Sequence, residues 1–269
     1  MVSVPKSRAH CAQSWSRRRA LAALLRGGAA LGAGGMALAA PPRTAVAPKF
    51  HPDGSEAHWP GNSIICHVDK RSDSFMALLD IHCALMRSGM LHRIAVLPPA
   101  SYHMTIFNGV SYPARRLAFP TDVPPDASEA FCNAWLLAKL KDFDLGCELP
   151  LRLRPLPVEQ QTNLYNILFE PVDAAENRKL RQLRDRLAQA LSYRLPDHDS
   201  FRFHVTLNYF YSAMRGGEEQ RFRQLHQRLA GDLIRRAPVL ELHNPEYVYF
   251  DGMYEFRPQL LLRNRGVPG

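Results

Sequence analysis

Short apolar runs, separated by Pro, Gly and polar residues, predict β-strands in two successive parts of the chain. The first set is NSIICHV (62–68), HRIAVLPP (92–99) and SYHMTIFNGV (101–110). The second set is CELPLRLRPL (147–156), NLYNILFEPV (163–172) and SFRFHVTLNYFY (200–211), followed by a strand-rich tail at 239–263. The prolines of CELPLRLRPL place that strand near a sheet edge.

Longer stretches between these runs have the apolar spacing of helices. SDSFMALLDIHCALMRSG (72–89) predicts a helix that Ser72 caps and Gly89 ends. Further helices are predicted at 127–143, 173–194 and 217–236. The helix at 173–194 is strongly amphipathic, with one stripe formed by Leu180, Leu183, Leu187 and Leu191.

The order of these elements repeats, because a strand, a helix and a strand containing His-x-Thr occur in each half. The repetition is one of supersecondary units and not of sequence. It predicts an α+β fold: a bilobal pseudo-two-fold duplication, in which two antiparallel sheets face a central cleft and the helices lie outside. We expect one such domain over residues 61–265.

The N-terminal region has the composition of an export signal. Residues 1–39 have a basic start, an Ala/Gly/Leu-rich middle and a possible A-x-A cleavage site, and SRRRAL resembles a twin-arginine motif. This predicts a periplasmic or extracellular protein; the alternative is a wrongly assigned start codon and a disordered tail. Residues 40–60 are rich in Pro and Ala and predict a linker. No other stretch approaches the ~18 apolar residues of a membrane helix, so we expect no membrane association of the mature form.

The charge of the chain narrows the classes of partner. Six of the nine net positive charges lie in residues 1–39, which leaves +3 for the remainder. So weak a positive charge predicts no extended nucleic-acid binding, while a small anionic substrate remains compatible with it. We expect a monomer.

The cysteines do not have the spacing of a zinc site. Four of them follow the predicted signal, with no C-x-x-C pair: Cys66, Cys83, Cys132 and Cys147. Two disulfides and four free thiols are both compatible with this spacing.

The repeated motif is His103-Met104-Thr105-Ile106 and His204-Val205-Thr206-Leu207. Residues i and i+2 of a strand share a face. Strand parity therefore presents His103, Thr105 and Phe107 together in the first strand, and His204, Thr206, Asn208 and Phe210 together in the second. With 11 His and five Thr in the chain, chance predicts only roughly 0.2 His-x-Thr occurrences. The competing interpretation is a pair of half-buried strands whose His and Thr hydrogen-bond locally.

Two imidazoles on opposite walls of a cleft suit displacement at phosphorus. A neutral His accepts a proton from the attacking oxygen, and a protonated His donates one to the leaving oxygen. Threonine hydroxyls can donate to the non-bridging phosphate oxygens. This chemistry requires no cofactor and no metal.

The paired motif strands resemble those of the two-histidine (2H) phosphoesterase superfamily, and PGNSIICHV, LPPASYHMTIFNGV, LPDHDSFRFHVTLNYF and FDGMYEFRP resemble one bacterial branch of it. The resemblance covers about residues 60–258. It implies a bilobal, metal-independent phosphoesterase that hydrolyses a small, cyclic phosphodiester of a nucleotide or an RNA end. By this resemblance His103 and His204 are the acid–base pair, in an order left open, and Thr105 and Thr206 bind the phosphate.

Four further residues are weaker candidates for substrate binding. Phe107 and Phe210 can stack on a base or belong to the core, and Asn208 shares the motif face. Arg115 can meet phosphate or lie in a solvated loop. His198-Asp199, just before the second motif, is more typical of a turn than of a catalytic pair.

Two other function classes remain open from sequence. The same fold can bind a nucleotide or phosphate ligand without turning it over. A metal-binding histidine protein is the second alternative.

Overall fold

The computed structural model describes residues 48–265. The predicted export signal at 1–39 and residues 40–47 of the predicted linker lie outside the described residues. The rest of the linker prediction is corrected by the structure, because residues 48–60 pack onto the domain and bury Phe50 and Trp59. Within 48–265 no helix has the length and apolar character needed to cross a bilayer.

The described part of the chain contains four helices and ten strands. The helices are α1 (Asp73–Met86), α2 (Glu129–Lys141), α3 (Ala174–Ala190) and α4 (Glu218–Arg236). The strands of the first half are β1 (Gly61–His67), β2 (Ile94–Val96) and β3 (His103–Ser111). The remaining strands are β4 (Leu151–Pro155), β5 (Asn166–Pro171), β6 (Phe203–Thr206), β7 (Asn208–Phe210), β8 (Leu240–Leu242), β9 (Glu246–Phe250) and β10 (Arg257–Leu261).

The helices begin and end where local chemistry favours it. The Ser72 hydroxyl accepts a hydrogen bond from the Phe75 amide at 3.1 Å, which satisfies a free donor at the start of α1. Gly89, just beyond the end of α1, has a φ of 73°, in the left-handed region that glycine adopts without strain. Asp173 caps α3 in the same way through the Glu176 amide, at 2.7 Å.

Two four-stranded antiparallel sheets carry the two motif strands at their edges. Their strand orders are β10-β9-β1-β3 and β6-β5-β4-β8. In the first sheet β3 pairs with β1, the strand before α1; in the second, β6 pairs with β5, the strand before α3. The edge strands β3 and β6 are neighbours in space. The α+β class and the duplicated strand–helix–strand arrangement are therefore confirmed.

A third, two-stranded sheet links the halves. Strand β2 of the first half pairs with β7 of the second, with Ala95 opposite Tyr209. Next to it, the Leu97 amide donates to the Leu207 carbonyl at 2.9 Å. The predicted strand at 200–211 is thus two strands in two sheets, and the change of sheet occurs at Leu207.

The position predicted for the proline-containing strand is wrong. β4 lies between β5 and β8, inside its sheet and not at an edge. Pro150 precedes the strand and Pro155 is its last residue. Proline lacks an amide N–H, but neither proline occupies an interior position of β4. The hydrogen bonds inside the sheet are therefore kept.

The four cysteines of the described residues, Cys66, Cys83, Cys132 and Cys147, are free thiols. Burial raises the pKa values of Cys66, Cys132 and Cys147 above that of a free thiol. Burial therefore keeps these three thiols protonated at neutral pH and unreactive as nucleophiles.

Candidate active site

A cavity of about 280 Å³ lies where the two motif strands meet, and all four motif residues line it. His103 and Thr105 reach it from β3, and His204 and Thr206 from β6. The intervening residues Met104, Ile106 and Val205 are fully buried on the other side of the strands. Strand alternation thus brings the predicted pairs together, as expected.

The two imidazoles are held in the same way. His103 Nδ1 lies 2.7 Å from the carbonyl oxygen of Ser101, and His204 Nδ1 lies 2.8 Å from that of Arg202. A carbonyl only accepts, so Nδ1 carries the proton in both rings and Nε2 of the neutral ring is a free acceptor. Each His therefore donates from Nδ1 to the carbonyl two residues before it. The two halves thus share the same imidazole tautomer as well as the same strand arrangement.

Burial disfavours the charged form of both imidazoles. It lowers the pKa of His103 to about 3, assisted by the nearby basic groups His67, His204 and Lys49 and opposed by the hydrogen bond to Ser101. The pKa of His204 is also lowered, first by burial and then by Lys49, against the hydrogen bond to Arg202. Because burial disfavours the charged form, each ring is neutral at neutral pH and has a free electron pair on Nε2.

The surroundings of the two rings differ. The His103 ring is covered by Phe256, with centroids 4.2 Å apart, and has the His67 ring at 6.4 Å. The nearest aromatic ring to His204 is that of Phe201, at 6.1 Å. His103 is therefore in the less polar environment and is the harder of the two to protonate.

The half-buried threonines add hydroxyl donors to the cavity. Further polar lining comes from Asn62, Ser63, Asn108, Ser111, Tyr193 and Tyr209. Among the described lining residues there is no Asp, Glu or Cys, and Lys49 is the only Lys or Arg. Lys49 therefore gives this lining a positive charge that no lining carboxylate offsets.

Sequence reasoning missed Lys49, which lies in the predicted linker. A Pro- and Ala-rich stretch carries no signal that it folds back onto a site formed far along the chain. The cavity wall residue Tyr209, the hydrogen-bond partner of Lys49, is 160 positions away. Only the tertiary fold brings the two together.

Phe107 does not reach the cavity, although strand parity predicts that it shares the face of His103. Ile65 pairs with Thr105 but Ile64 pairs with Phe107, so Ile106 is an extra residue in β3. A bulge of one residue turns the following side chains to the opposite face. Phe107 is therefore buried in the core, and Asn108 lines the cavity in its place.

The change of sheet at Leu207 removes Asn208 and Phe210 from the site. The amides of Leu207 and Asn208 both donate to the Tyr165 carbonyl, at 2.8 and 3.2 Å, and the chain then continues as β7. The Asn208 side chain is buried away from the cavity. Phe210 is 38% exposed and packs edge-on against Phe222.

Arg115 also lies outside the cavity lining. Its guanidinium donates to the Ala127 carbonyl at 3.2 Å and lies 6.0 Å from the centre of the Phe119 ring. These contacts hold the Arg115 guanidinium within the segment that follows β3.

Among the described residues, the group with the spacing of metal ligands is Asp185, His198 and Asp199. None of the three lines the cavity. Arg194 donates to Asp185 at 3.3 Å and to Asp199 at 2.5 Å, and His198 Nε2 lies 2.9 Å from Asp185. The Arg194 guanidinium thus forms an ion pair with each of the two carboxylates.

Comparison with known proteins finds one family model that matches part of the chain and a solved structure with a similar fold. Residues 49–164, which include the first motif strand, match the family model 2H-phosphodiest, described as a domain of unknown function (DUF1868). The crystal structure of ATU0111, a conserved protein of unknown function from Agrobacterium tumefaciens str. C58, has a similar fold. Its TM-score is 0.73 at 24% identity, over 79% of this chain and 90% of that chain. No curated protein matches the chain.

Proposed function

We propose that this chain, which carries a two-histidine phosphodiesterase-like domain, hydrolyses a small, cyclic phosphodiester of a nucleotide or an RNA end without a metal ion. The observation that carries the proposal is the shared cavity of His103, Thr105, His204 and Thr206. Its two imidazoles have equivalent tautomers and free Nε2 atoms. Such a pair suits the removal of one proton and the delivery of another across one phosphorus atom.

In the proposed reaction His103 is the base. Its Nε2 accepts a proton from water as the water oxygen bonds to phosphorus, and the bond from phosphorus to the leaving oxygen breaks. His204, protonated on Nε2, gives that proton to the leaving oxygen, so the product is a phosphomonoester. The assignment follows from the coverage of His103 by Phe256 and His67, which disfavours its charged form. Exchange of protons with solvent restores the starting state.

The bound phosphate is held by hydroxyl donors. Thr105 and Thr206 are both half-buried in the cavity wall, one from each motif strand. Donors fixed before the reaction stabilise the charge that develops on the non-bridging oxygens, without reorganisation. In this proposal the Nε2 atoms transfer the protons, and the threonine hydroxyls stabilise the negative charge.

The first prediction is hydrolysis of 2′,3′-cyclic nucleotides that persists in a chelator. The mature protein is incubated with each cyclic nucleotide, with and without EDTA, and the phosphomonoester is measured by chromatography. Equal rates are expected because imidazoles carry the protons. Activity lost in EDTA and restored by a metal would contradict the metal-free mechanism. Nucleotide binding by calorimetry with no product would instead indicate the binding module considered above.

A second prediction concerns pH. The acid must be protonated, so kcat/KM falls as pH rises through the pKa of His204 in the free enzyme, which burial places below 6.5. A bound phosphate anion favours the imidazolium, so the corresponding fall in kcat is expected at higher pH. The two profiles are measured between about pH 4 and 9. Profiles that are flat across this range would refute the proton-transfer roles.

A further inference from the structure

Lys49 is placed in the cavity by an ordered N-terminal loop, residues 48–59. The Ala57 amide donates to the Lys49 carbonyl at 3.0 Å, and Phe50 forms a β-bridge with Glu56. The Phe50 ring packs against Tyr209 at 5.4 Å and Tyr254 at 5.6 Å. The loop is thus closed on itself and packed against both Tyr209 of β7 and the turn between β9 and β10.

A second set of contacts fixes the other end of the N-terminal loop. Glu56 Oε1 accepts hydrogen bonds from the amides of Met253 and Tyr254, the latter at 2.7 Å. The Trp59 amide donates to the Asp251 carbonyl at 2.7 Å. These bonds restrict the backbone from which the Lys49 side chain extends.

The Lys49 ammonium is oriented and keeps free donors. Nζ lies 4.9 Å from the centre of the Tyr209 ring and 5.7 Å from that of Trp59. It donates to the Tyr209 hydroxyl at 3.2 Å. An ammonium has three N–H groups, so two remain for a ligand. Among the described residues that line the cavity, no carboxylate neutralises this charge.

We propose that Lys49 binds the phosphate of the substrate by donating to one of its non-bridging oxygens. The proposal deepens the function proposed above and names the ligand of the cavity as an oxyanion. A cation beside two neutral imidazoles attracts a phosphodiester monoanion, and the two threonine hydroxyls then complete its coordination. Lys49 lines the same cavity as both histidines, and its charge contributes to the lowered pKa of each of them.

The test measures binding of inorganic phosphate, which needs no turnover. The Cε1–H resonances of the histidines are followed by NMR in wild-type protein, Lys49→Met and Lys49→Arg, with Lys70→Met as the exposed control. Lys49→Met is expected to weaken phosphate binding about 10- to 100-fold, while Lys49→Arg stays within about fivefold of wild type, because a charge-assisted donor is lost only in the first. Lys70→Met is expected to match wild type.

The same spectra separate ligand binding from packing. Removing the Lys49 charge is expected to raise the pKa values of His103 and His204 in the Lys49→Met variant. A purely structural lysine, packed on Tyr209 and Trp59, would lower thermal stability without changing the phosphate affinity. Unchanged phosphate affinity in a folded Lys49→Met variant overturns the proposal. If that variant does not fold, Lys49→Gln takes its place with the same criterion.

Failure of this inference and failure of the proposed function are distinguishable. If phosphate binding depends on Lys49 but the protein hydrolyses no phosphodiester, Lys49 is the anion-binding residue and the proposed hydrolase activity is refuted. Hydrolysis with phosphate affinity and KM unchanged in Lys49→Met supports the hydrolase and overturns the role of Lys49.

Discussion

Replacing His103 or His204 with alanine is expected to reduce kcat on a cyclic phosphodiester by about 10²–10⁴-fold. Each substitution removes the one Nε2 that transfers a proton on its side of the phosphate, and the other His cannot reach both the attacking and the leaving oxygen. KM is expected to change little, because Thr105, Thr206 and the positive charge of the cavity remain. Steady-state kinetics on purified variants measure both quantities.

Matched variants separate proton transfer from folding. His92→Ala removes a more exposed imidazole that pairs with Glu218, and it should retain wild-type activity. Gln at 103 or 204 keeps most of the side-chain volume but has no transferable proton, so it should be as inactive as Ala. The kcat of the double variant is expected to lie within about tenfold of that of the less active single variant, because the two groups act as one unit. Full activity in both single variants would remove the active-site assignment.

The site was predictable from sequence because strand alternation is a local property. His103 and Thr105 are two residues apart, as are His204 and Thr206, and apolar residues separate them. Burial of those spacers then forces the polar pair outward on the opposite face. A strand and a helix precede each motif strand in the same order. This repetition predicts that the two motif strands occupy equivalent sheet edges. Both steps depend on residues close together in the chain.

The residues beyond each pair were not predictable in this way. A bulge at Ile106 reverses the alternation before Phe107, and the change of sheet at Leu207 ends it before Asn208. Both irregularities are set by the partner strands, β1 in one case and β2 in the other. Alternation extrapolated along a single strand cannot detect a register shift imposed by its neighbour.

Lys49 shows a different reason for failure. Its surroundings in sequence have the composition of a linker, and its role depends on contacts with Tyr209 and Trp59. Side chains that reach a site from an irregular loop show no periodic pattern in the sequence. They become identifiable only when the cavity and its charge are known.

Arg184 is a charged residue on the apolar face of α3, and its burial affects the stability of the fold. It lies on the leucine stripe of α3, between Leu183 and Leu187, and only 1% of it is exposed. Its guanidinium lies 4.0 Å from the centre of the Phe201 ring. Burial lowers its pKa to about 10, so the group is still a cation at neutral pH and requires hydrogen-bond acceptors inside the protein.

The acceptors of Arg184 connect the two motif strands. Nη1 donates to the Ile106 carbonyl at 2.6 Å, at the bulge of β3. Nη2 donates to the His198 carbonyl at 3.2 Å, in the turn before β6. One buried side chain thus joins the first His-x-Thr strand to the segment that leads into the second.

Arg184→Met is expected to lower the free energy of unfolding by about 3 kcal/mol, since two buried carbonyls lose their donor at about 1–3 kcal/mol each. Urea denaturation of the folded variant measures the change, and Arg178→Met, at an exposed position of the same helix, should stay within about 0.5 kcal/mol of wild type. Methionine keeps an unbranched apolar side chain as far as the Nε position of Arg184, so the variant loses chiefly the guanidinium and its hydrogen bonds. A variant as stable as wild type would mean that desolvation of the guanidinium offsets both bonds, and that α3 does not hold the motif strands in place through this residue.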